Sequence, residues 1–399
     1  MLRVGLNAAP LAAPHTGVGR YILGVLGGLA RLRAGGEAFE VRPLFAPAAA
    51  LTPSAAADGS SSERRAAARA GTMAALRAVR SAAKRAPFVY PLLDAARSVA
   101  LVLSQRGQPF GVYHETNHAA PRTRLPVVLT VHDLSTLIMP ATQEKKRADH
   151  FGRALREHAR DAARVITPTQ AIAEQVVAEL GVPRDRVRAV HHGIDPSLVE
   201  ALASKRGGPP QERPAFPGIA GPYLLFLGAL EPRKGLPDLL DAYDALPAPM
   251  ARAFALVLGG PSERIDDALR RRLDARREGR VVQLGYVAPS ELMALYRGAA
   301  ALCLPSLYEG FGLPLLEALA CGTPCVASDD PALVEVAGGA ALHAPRGDAE
   351  ALARQLRRVL DDAGLRDDLA RRGPLRAAEF SWERSARAHL LAYREAESA

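Results

Sequence analysis

The stretch Pro305-Ser306-Leu307-Tyr308-Glu309-Gly310-Phe311-Gly312-Leu313-Pro314-Leu315-Leu316-Glu317 decides how the rest of this chain is read. Two glutamates stand eight positions apart, with two glycines and a proline between them. Upstream, Ala299 to Leu304 is short and apolar, as a buried parallel strand is. Downstream, Leu315 to Ala320 reads as helix, and Pro314 suits its first position, where a missing N–H costs nothing. The stretch is therefore a strand, a glycine-rich loop and a helix N-terminus. Backbone N–H groups at such an end attract phosphate. Glu309 falls in the loop and Glu317 in the first helical turns. A loop carboxylate beside a phosphate site needs hydroxyls or a cation to meet. A nucleotide-sugar brings both hydroxyls and phosphates.

Strand-like and helix-like runs alternate on either side. Before the stretch come strand candidates at Arg3 to Asn7, Phe39 to Phe45, Val112 to Glu115, Val127 to Thr130, Val165 to Thr167 and Arg186 to His191. Helix candidates lie at Gly19 to Leu32, Lys146 to Ala163 and Ala171 to Leu180. A second series holds strands at Tyr223 to Gly228, Phe254 to Gly259, Val281 to Leu284, Ala299 to Leu304 and Pro324 to Ala327. Its helices are Leu236 to Leu246, Asp266 to Arg277, Ala349 to Leu360 and Ser381 to Glu397. Such alternation predicts an α/β protein with parallel sheets and helices on both faces. The Pro- and Gly-rich run Ser204 to Gly221 reads as a linker, so two Rossmann-like domains face each other across a cleft. The expected division is 1–205, 206–380 and a final helix, 381–399, crossing back to the first domain.

The segment 46–108 interrupts the pattern. It is rich in Ala, Ser, Pro and Arg, and Arg64 to Arg85 carries many cations and few acids. One reading is a solvated alanine-rich helix pair. The other is a basic surface that meets anionic lipid or a polyanionic acceptor.

The 399 residues are 48% hydrophobic and 23% charged, a globular composition with room for two domains. The net charge of +9 admits nucleic acid, anionic membrane or phosphorylated ligands as partners. Aromatics are 5% and none interleave with the basic run, which argues against nucleic acid. The three cysteines, Cys303, Cys321 and Cys325, do not make a disulfide framework and suit a reducing compartment. Cys321 and Cys325 lack the histidine or further cysteine that would complete a zinc set. The N-terminus reads as a first strand, not a signal peptide, and no run is long enough for a spanning helix. A cytoplasmic protein is expected, with peripheral attachment to the inner membrane face if the basic run meets lipid.

Other motifs carry chemistry. Gly228-Ala229-Leu230-Glu231-Pro232-Arg233-Lys234-Gly235 follows a strand and precedes a helix. Arg233 and Lys234 together can neutralise a diphosphate leaving group, the first as a planar fork and the second as a point charge. A solvated basic turn is the plainer reading of the pair taken alone. Thr16-Gly17-Val18-Gly19-Arg20 lies between the first strand and a helix, where glycines let backbone approach an anion. It is neither the full dinucleotide fingerprint nor a P-loop. Thr130-Val131-His132-Asp133 puts a His-Asp pair at a strand's carboxyl end, where open α/β sheets bind ligands. His114-Glu115-Thr116-Asn117-His118 and His191-His192-Gly193-Ile194-Asp195 are weaker versions of the same placement.

Taken together these motifs resemble the family 4 glycosyltransferases, which have the two-domain GT-B fold. The carriers are Glu309 and Glu317, Glu231 to Gly235, Thr16 to Tyr21 and Thr130 to Asp133. Thr167-Pro168-Thr169-Gln170, Gly181-Val182-Pro183, His192 to Asp195 and Phe380-Ser381-Trp382-Glu383 echo them. The resemblance implies retaining transfer from a nucleoside-diphosphate sugar without a required metal or cofactor. It implies that Arg233 and Lys234 stabilise the departing diphosphate, that Glu309 and His132 meet the donor sugar, and that Glu317 holds ribose hydroxyls. Gly17 and Gly19 would approach the diphosphate. Gly228, Gly310, Phe311, Gly312 and Leu313 would complete the donor site. The Glu-Pro-Arg-Lys-Gly and Thr-Gly-Val-Gly-Arg-Tyr forms look most like a mannosyltransferase branch. GDP-mannose is therefore the expected donor, with a lipid-linked or polysaccharide glycan as acceptor. A UDP-hexose donor is the alternative, and a non-enzymatic polyanion-binding protein the rival from another class. Ala229 departs from the arginine many members carry there, which leaves more of the phosphate work to Arg233.

Overall fold

The computed structural model describes residues 1–13, 16–47, 89–106, 109–117, 120–140, 145–194, 219, 221–262, 265–275 and 280–399. Arg64 to Arg85, His118, Asp195 and all of the linker except Ile219 and Gly221 lie outside the described residues.

The first sheet contains β1 (Leu2–Asn7), β2 (Phe39–Leu44), β3 (Val112–Glu115), β4 (Val127–Thr130), β5 (Arg164–Thr167) and β6 (Val187–Ala189). Their order is β2-β1-β3-β4-β5-β6, and every neighbour is parallel. Helices α1 (Gly17–Ala34), α2 (Val89–Ser104), α3 (Ser135–Ile138), α4 (Lys145–Asp161) and α5 (Gln170–Leu180) go with it. The second sheet contains β7 (Tyr223–Leu227), β8 (Ala255–Gly259), β9 (Val281–Gly285), β10 (Ala299–Leu304), β11 (Cys325–Ser328) and β12 (Leu342–Ala344). Its order is β12-β11-β10-β7-β8-β9, again parallel throughout. Helices α6 (Leu236–Asp244), α7 (Ala248–Ala253), α8 (Asp267–Asp274), α9 (Pro289–Gly298), α10 (Leu313–Ala320), α11 (Pro331–Ala337), α12 (Ala349–Asp361) and α13 (Ala363–Ala377) surround it. The last helix, α14 (Trp382–Glu397), packs on α1 and the first sheet.

The central strands of the second sheet are buried at every position, which is why β7, β8 and β10 read as unbroken apolar runs. In both sheets the strand order reverses at the first strand: β1 lies between β2 and β3, and β7 between β8 and β10. Ligands of open α/β sheets bind outside the carboxyl ends of strands at such a reversal.

Several boundaries differ from the sequence reading. Gly17 and Gly19 lie inside the first turn of α1, not in a loop before it, because Thr16 caps the helix by accepting the Gly19 N–H at 3.2 Å. Helix α10 starts at Leu313, so Pro314 is its second residue. Only Val187–Ala189 of the expected strand Arg186 to His191 pairs, and Arg184–Arg186 is a 3-10 turn. Helices α7, α9, α11 and α13 and strand β12 were not expected. They are short, or, in α13, weakly patterned and interrupted by Pro374. Within the segment 46–108, Val89–Ser104 is helical.

Helix α14 is fixed by a closed hydrogen-bond network whose polarity follows from one carbonyl. His389 Nδ1 can only donate to the Ser385 carbonyl, at 2.8 Å, so its Nε2 accepts from the Tyr21 hydroxyl at 2.7 Å. Tyr21 then accepts from Thr130 Oγ1 at 2.8 Å, and Thr130 accepts from His114 Nε2 at 2.8 Å. That leaves His114 Nδ1 to accept from Tyr393 at 2.7 Å. Each member is buried and each ring is neutral in this scheme. Trp382 fills the space beside Gly24, Gly28 and Gly193, where any Cβ would overlap it. Sequence therefore fixes the α1–α14 crossing twice, by small residues and by a polar network.

Burial pushes His389 down from the usual 6.5 to about 4. Burial, with neighbouring histidines, holds His114 and His192 well below 6.5. The unfolded chain takes up these protons below about pH 6.5 and the folded chain does not, so stability is lost as pH falls from about 6.5 toward 4. For His389 the shift from 6.5 to about 4 amounts to at most about 3 kcal/mol. The melting temperature should therefore drop by several degrees between about pH 7 and pH 5, and His389→Gln should flatten that slope. A melting temperature independent of pH over this range would contradict the neutral network.

Candidate active site

The two loops that hold Arg233, Lys234 and Glu309 lie against each other at the carboxyl edge of the second sheet. Pro232–Lys234 forms a 3-10 turn after β7, closed by Gly235 at φ 66. A side chain at Gly235 would run into the Pro305 carbonyl, so the turn meets the Glu309 loop at backbone distance. Leu307 N donates to the Arg233 carbonyl at 2.9 Å and ties the loops together. Glu309 is 6% exposed. Its Oε1 accepts from Lys234 Nζ at 2.5 Å and from Ser306 Oγ at 2.8 Å. Arg233 Nη1 lies 3.9 Å from Glu309 Oε2 and donates to the Tyr308 carbonyl at 3.3 Å, while its Nε meets Glu231 at 3.3 Å.

The electrostatics are those of a dry ionic cluster. Burial alone would raise Glu309, but Lys234 and Arg233 outweigh it and hold the carboxyl below its ordinary value. Burial lowers Lys234, and Glu309 restores only part of the loss. Arg233 is raised despite its burial, because Glu309, Asp133 and Glu231 surround it with negative charge. A lone buried carboxylate would cost several kcal/mol, so Glu309 depends on its cations as much as they depend on it. Asp330, 1% exposed, supports the loop by accepting the Glu309 N–H at 3.3 Å and caps α11 through Ala332 N at 3.0 Å. Burial, with the Glu309 charge beside it, pushes Asp330 up to about 6.

Beyond Glu309 the chain turns into α10 through Gly310, Phe311 and Gly312, the last at φ 91. The first N–H groups of α10, from Leu313, have no carbonyl one turn back and face the anion-binding end of the helix. Phe311 packs its ring against His192 at 4.6 Å, so its side chain belongs to the aromatic core. Glu317, four residues into α10, accepts the Tyr296 hydroxyl at 2.8 Å and is ion-paired with Arg20. Gly228, at φ 150, turns the chain out of β7.

The first sheet brings its own residues to the same place. A side chain at Gly310 would strike the His132 carbonyl, so the Glu309 loop and the His132 loop touch backbone to backbone. Thr169 Oγ1 donates to the Gly310 carbonyl at 3.0 Å, and Tyr308 accepts Leu134 N at 2.9 Å. His132 Nε2 donates to the Thr116 carbonyl at 3.0 Å, and whenever the ring is neutral Nδ1 is its acceptor nitrogen. Asp133 Oδ1 accepts the Ser135 N–H at 2.9 Å. A Cβ at Gly17 would meet nothing within 4 Å, so the fold itself makes no demand for glycine there.

Arg233, Lys234 and Glu309 are thus brought together, and Gly310 sets their loop against the His132 carbonyl. Glu317 lies one helical turn and more away, beside Arg20. Several site residues had no sequence signal of their own: Ser306 and Asp330 around Glu309, Tyr296 behind Glu317, and Glu335. The Glu335 carboxylate reaches from α11 to Gln170 N at 2.8 Å, Ala171 N at 3.0 Å and His191 Nε2 at 2.7 Å. The Thr-Pro-Thr-Gln echo marks that contact without revealing it. Glu115 is buried and fully supplied with donors, from Asn7, Asn117 N, Arg97 and Tyr113, so it organises the edge of β3. Among the described residues no cluster of three or more His, Cys, Asp or Glu is placed to hold a metal, and no helix is long and apolar enough to cross a membrane.

A cation-rich turn and a glycine-led helix end lie where loops of the two parallel sheets meet. The family model "Glycosyltransferase Family 4" matches residues 16–198, and "Glycosyl transferases group 1" matches residues 217–376. The chain is 32% identical to the O-antigen chain mannosyltransferase B of Escherichia coli over 71% of this chain and 74% of that protein. Sucrose-phosphate synthase from Thermosynechococcus elongatus has the same fold, with a TM-score of 0.66 at 19% identity over 99% of this chain and 98% of that one. So does the Anabaena HepE protein in complex with UDP and glucose, with a TM-score of 0.61 at 16% identity over 98% and 99%. The chain belongs to the family 4 glycosyltransferases and has the GT-B fold. It is a glycosyltransferase.

The ionic cluster makes a thermodynamic prediction. Lys234→Met strands the Glu309 carboxylate and should cost about 2–4 kcal/mol in urea unfolding. The double variant Lys234→Met/Glu309→Gln should recover about half or more of that loss, because the buried charge is removed with its partner. Additive losses would show that the pair is not coupled.

Proposed function

We propose that the protein transfers mannose from GDP-mannose, with retention of configuration and without a required metal, onto a lipid-linked or polysaccharide glycan. The observation that carries the reading is the cluster of half-buried Arg233 and Lys234 around buried Glu309 at the carboxyl edge of β7 and β10. Cleaving the sugar–phosphate bond builds negative charge on the diphosphate, and cations fixed before the reaction stabilise it without reorganisation. Arg233 and Lys234 take that role. The α10 end, through Gly310, Gly312 and Leu313, and the Gly17–Gly19 and Gly228 turns let phosphate approach backbone. Glu309, released in part from Lys234 when phosphate arrives, accepts sugar hydroxyls. His132 accepts a hydroxyl at Nδ1. Glu317 holds the ribose.

Retention by a front-face route is what the family resemblance implies. As the bond breaks, the leaving phosphate oxygen takes the acceptor's proton, and the new glycosidic bond forms on the face the phosphate left. Asp133 follows His132 in the chain, and its Oδ1 accepts the Ser135 N–H. Mass-spectrometric detection of a sugar covalently held on Asp133 would replace this route with a two-step one.

Mannose and a glycan acceptor are supported by the Escherichia coli O-antigen chain mannosyltransferase. A UDP-sugar donor is the second reading, since the HepE structure of the same fold holds UDP and glucose. Peripheral attachment to anionic membrane through Arg64 to Arg85 completes the proposal, and co-sedimentation with anionic vesicles at low salt tests it. Thermal-shift titration with GDP, UDP and ADP should show a shift with GDP that is unchanged by EDTA. With GDP-mannose, Glu309→Ala should lose about 100-fold or more in kcat while remaining folded. A shift with UDP alone would move the donor to the second reading. No shift with any nucleotide would contradict the function.

A further inference from the structure

Arg20 and Glu317 reach each other from the two sheets. Arg20 lies in the first turns of α1, directly after Gly19, and Glu317 lies in α10. The Glu317 side chain is 3% exposed and that of Arg20 is 33% exposed. Of the two carboxylate oxygens, Oε2 accepts the buried Tyr296 hydroxyl and Oε1 is in contact with the Arg20 guanidinium. The Arg20 charge also acts on Tyr296 in α9 and on His192. The pair is asymmetric. Arg20 can turn out into water at little cost, whereas Glu317 cannot follow it and needs another donor when it leaves.

A ribose offers two neighbouring hydroxyl donors, and a carboxylate with one oxygen already committed to Tyr296 accepts them only if Oε1 is cleared. We propose that Arg20 is a displaceable stand-in for the donor's ribose: it satisfies Glu317 while the cleft is empty, clasps the two sheets across it, and gives way when the 2′- and 3′-hydroxyls arrive. This inference rests on the reading of Glu317 as the ribose ligand. Arg20 thereby sets the affinity of the site for ribonucleotides, because part of every ribose contact is spent in breaking an existing ion pair.

Calorimetric titration of the full chain with GDP and UDP, and with their 2′,3′-dideoxy forms, tests it. Arg20→Gln removes the competitor, so the ribonucleotide should bind roughly three- to tenfold more tightly, while the dideoxy form changes by less than about twofold. Arg20→Lys, which keeps the charge but not the planar fork, should fall between Arg20→Gln and the wild type. Glu317→Gln should bind ribo and dideoxy forms alike. Weaker ribonucleotide binding by Arg20→Gln, or no change, from a protein that melts as the wild type does, would overturn the stand-in. A Glu317→Gln variant that still prefers the ribo form would overturn the ribose reading beneath it, and a wild type that binds no nucleotide would overturn both.

Discussion

The missing side chain at Gly310 is the constraint on which the site depends. Its Cα lies so close to the His132 carbonyl that no Cβ fits between them. That contact lets a loop of the second sheet touch a loop of the first. Thr169 fixes it by a hydrogen bond to the Gly310 carbonyl, and Tyr308 adds a second to Leu134 N. Glu309 precedes the glycine and is held by Lys234, Ser306 and Asp330. One residue without a side chain therefore brings His132 to the edge of an ionic cluster built by the other sheet.

The cluster works because its charges are close to balanced and nearly dry. Lys234 and Arg233 hold Glu309 ionised against its burial, and Glu309, Asp133 and Glu231 hold Arg233 charged against its own. On the proposed function, an incoming diphosphate finds cations already fixed in place and competes with Glu309 for Lys234, which frees part of the carboxylate for hydroxyls as the sugar enters. Arg20 on Glu317, in the proposed stand-in role, repeats the arrangement one site further along: a buried carboxylate is paired with a cation. Both carboxylates belong to α10 or the loop that leads into it, so one strand–loop–helix unit carries both proposed donor ligands.

What was legible in the sequence was what is local. Glu309, Glu317, Arg233 and Lys234 sit in strand–turn–helix units whose apolar run, glycines and proline are contiguous, so their placement followed from a few residues each. The α/β alternation likewise exposed both sheets, because strands buried on two faces cannot be anything but apolar runs. The illegible part depends on long-range partners. Tyr296, Asp330, Glu335 and the His389–Tyr21–Thr130–His114–Tyr393 network act on residues far along the chain, and nothing beside them in sequence says so. Arg20 and Thr169 stood inside quoted motifs, yet their partners Glu317 and Gly310 lie in the other half of the molecule. The extra helices α9, α11 and α13 were missed for a different reason: they are short, or too evenly charged to show an apolar stripe.

The most direct test is a structure of the protein with GDP bound. The account predicts both phosphates against Lys234 Nζ and the Arg233 guanidinium at the start of α10, with the Lys234–Glu309 contact lengthened. A nucleotide seated elsewhere, with that contact undisturbed, would contradict it.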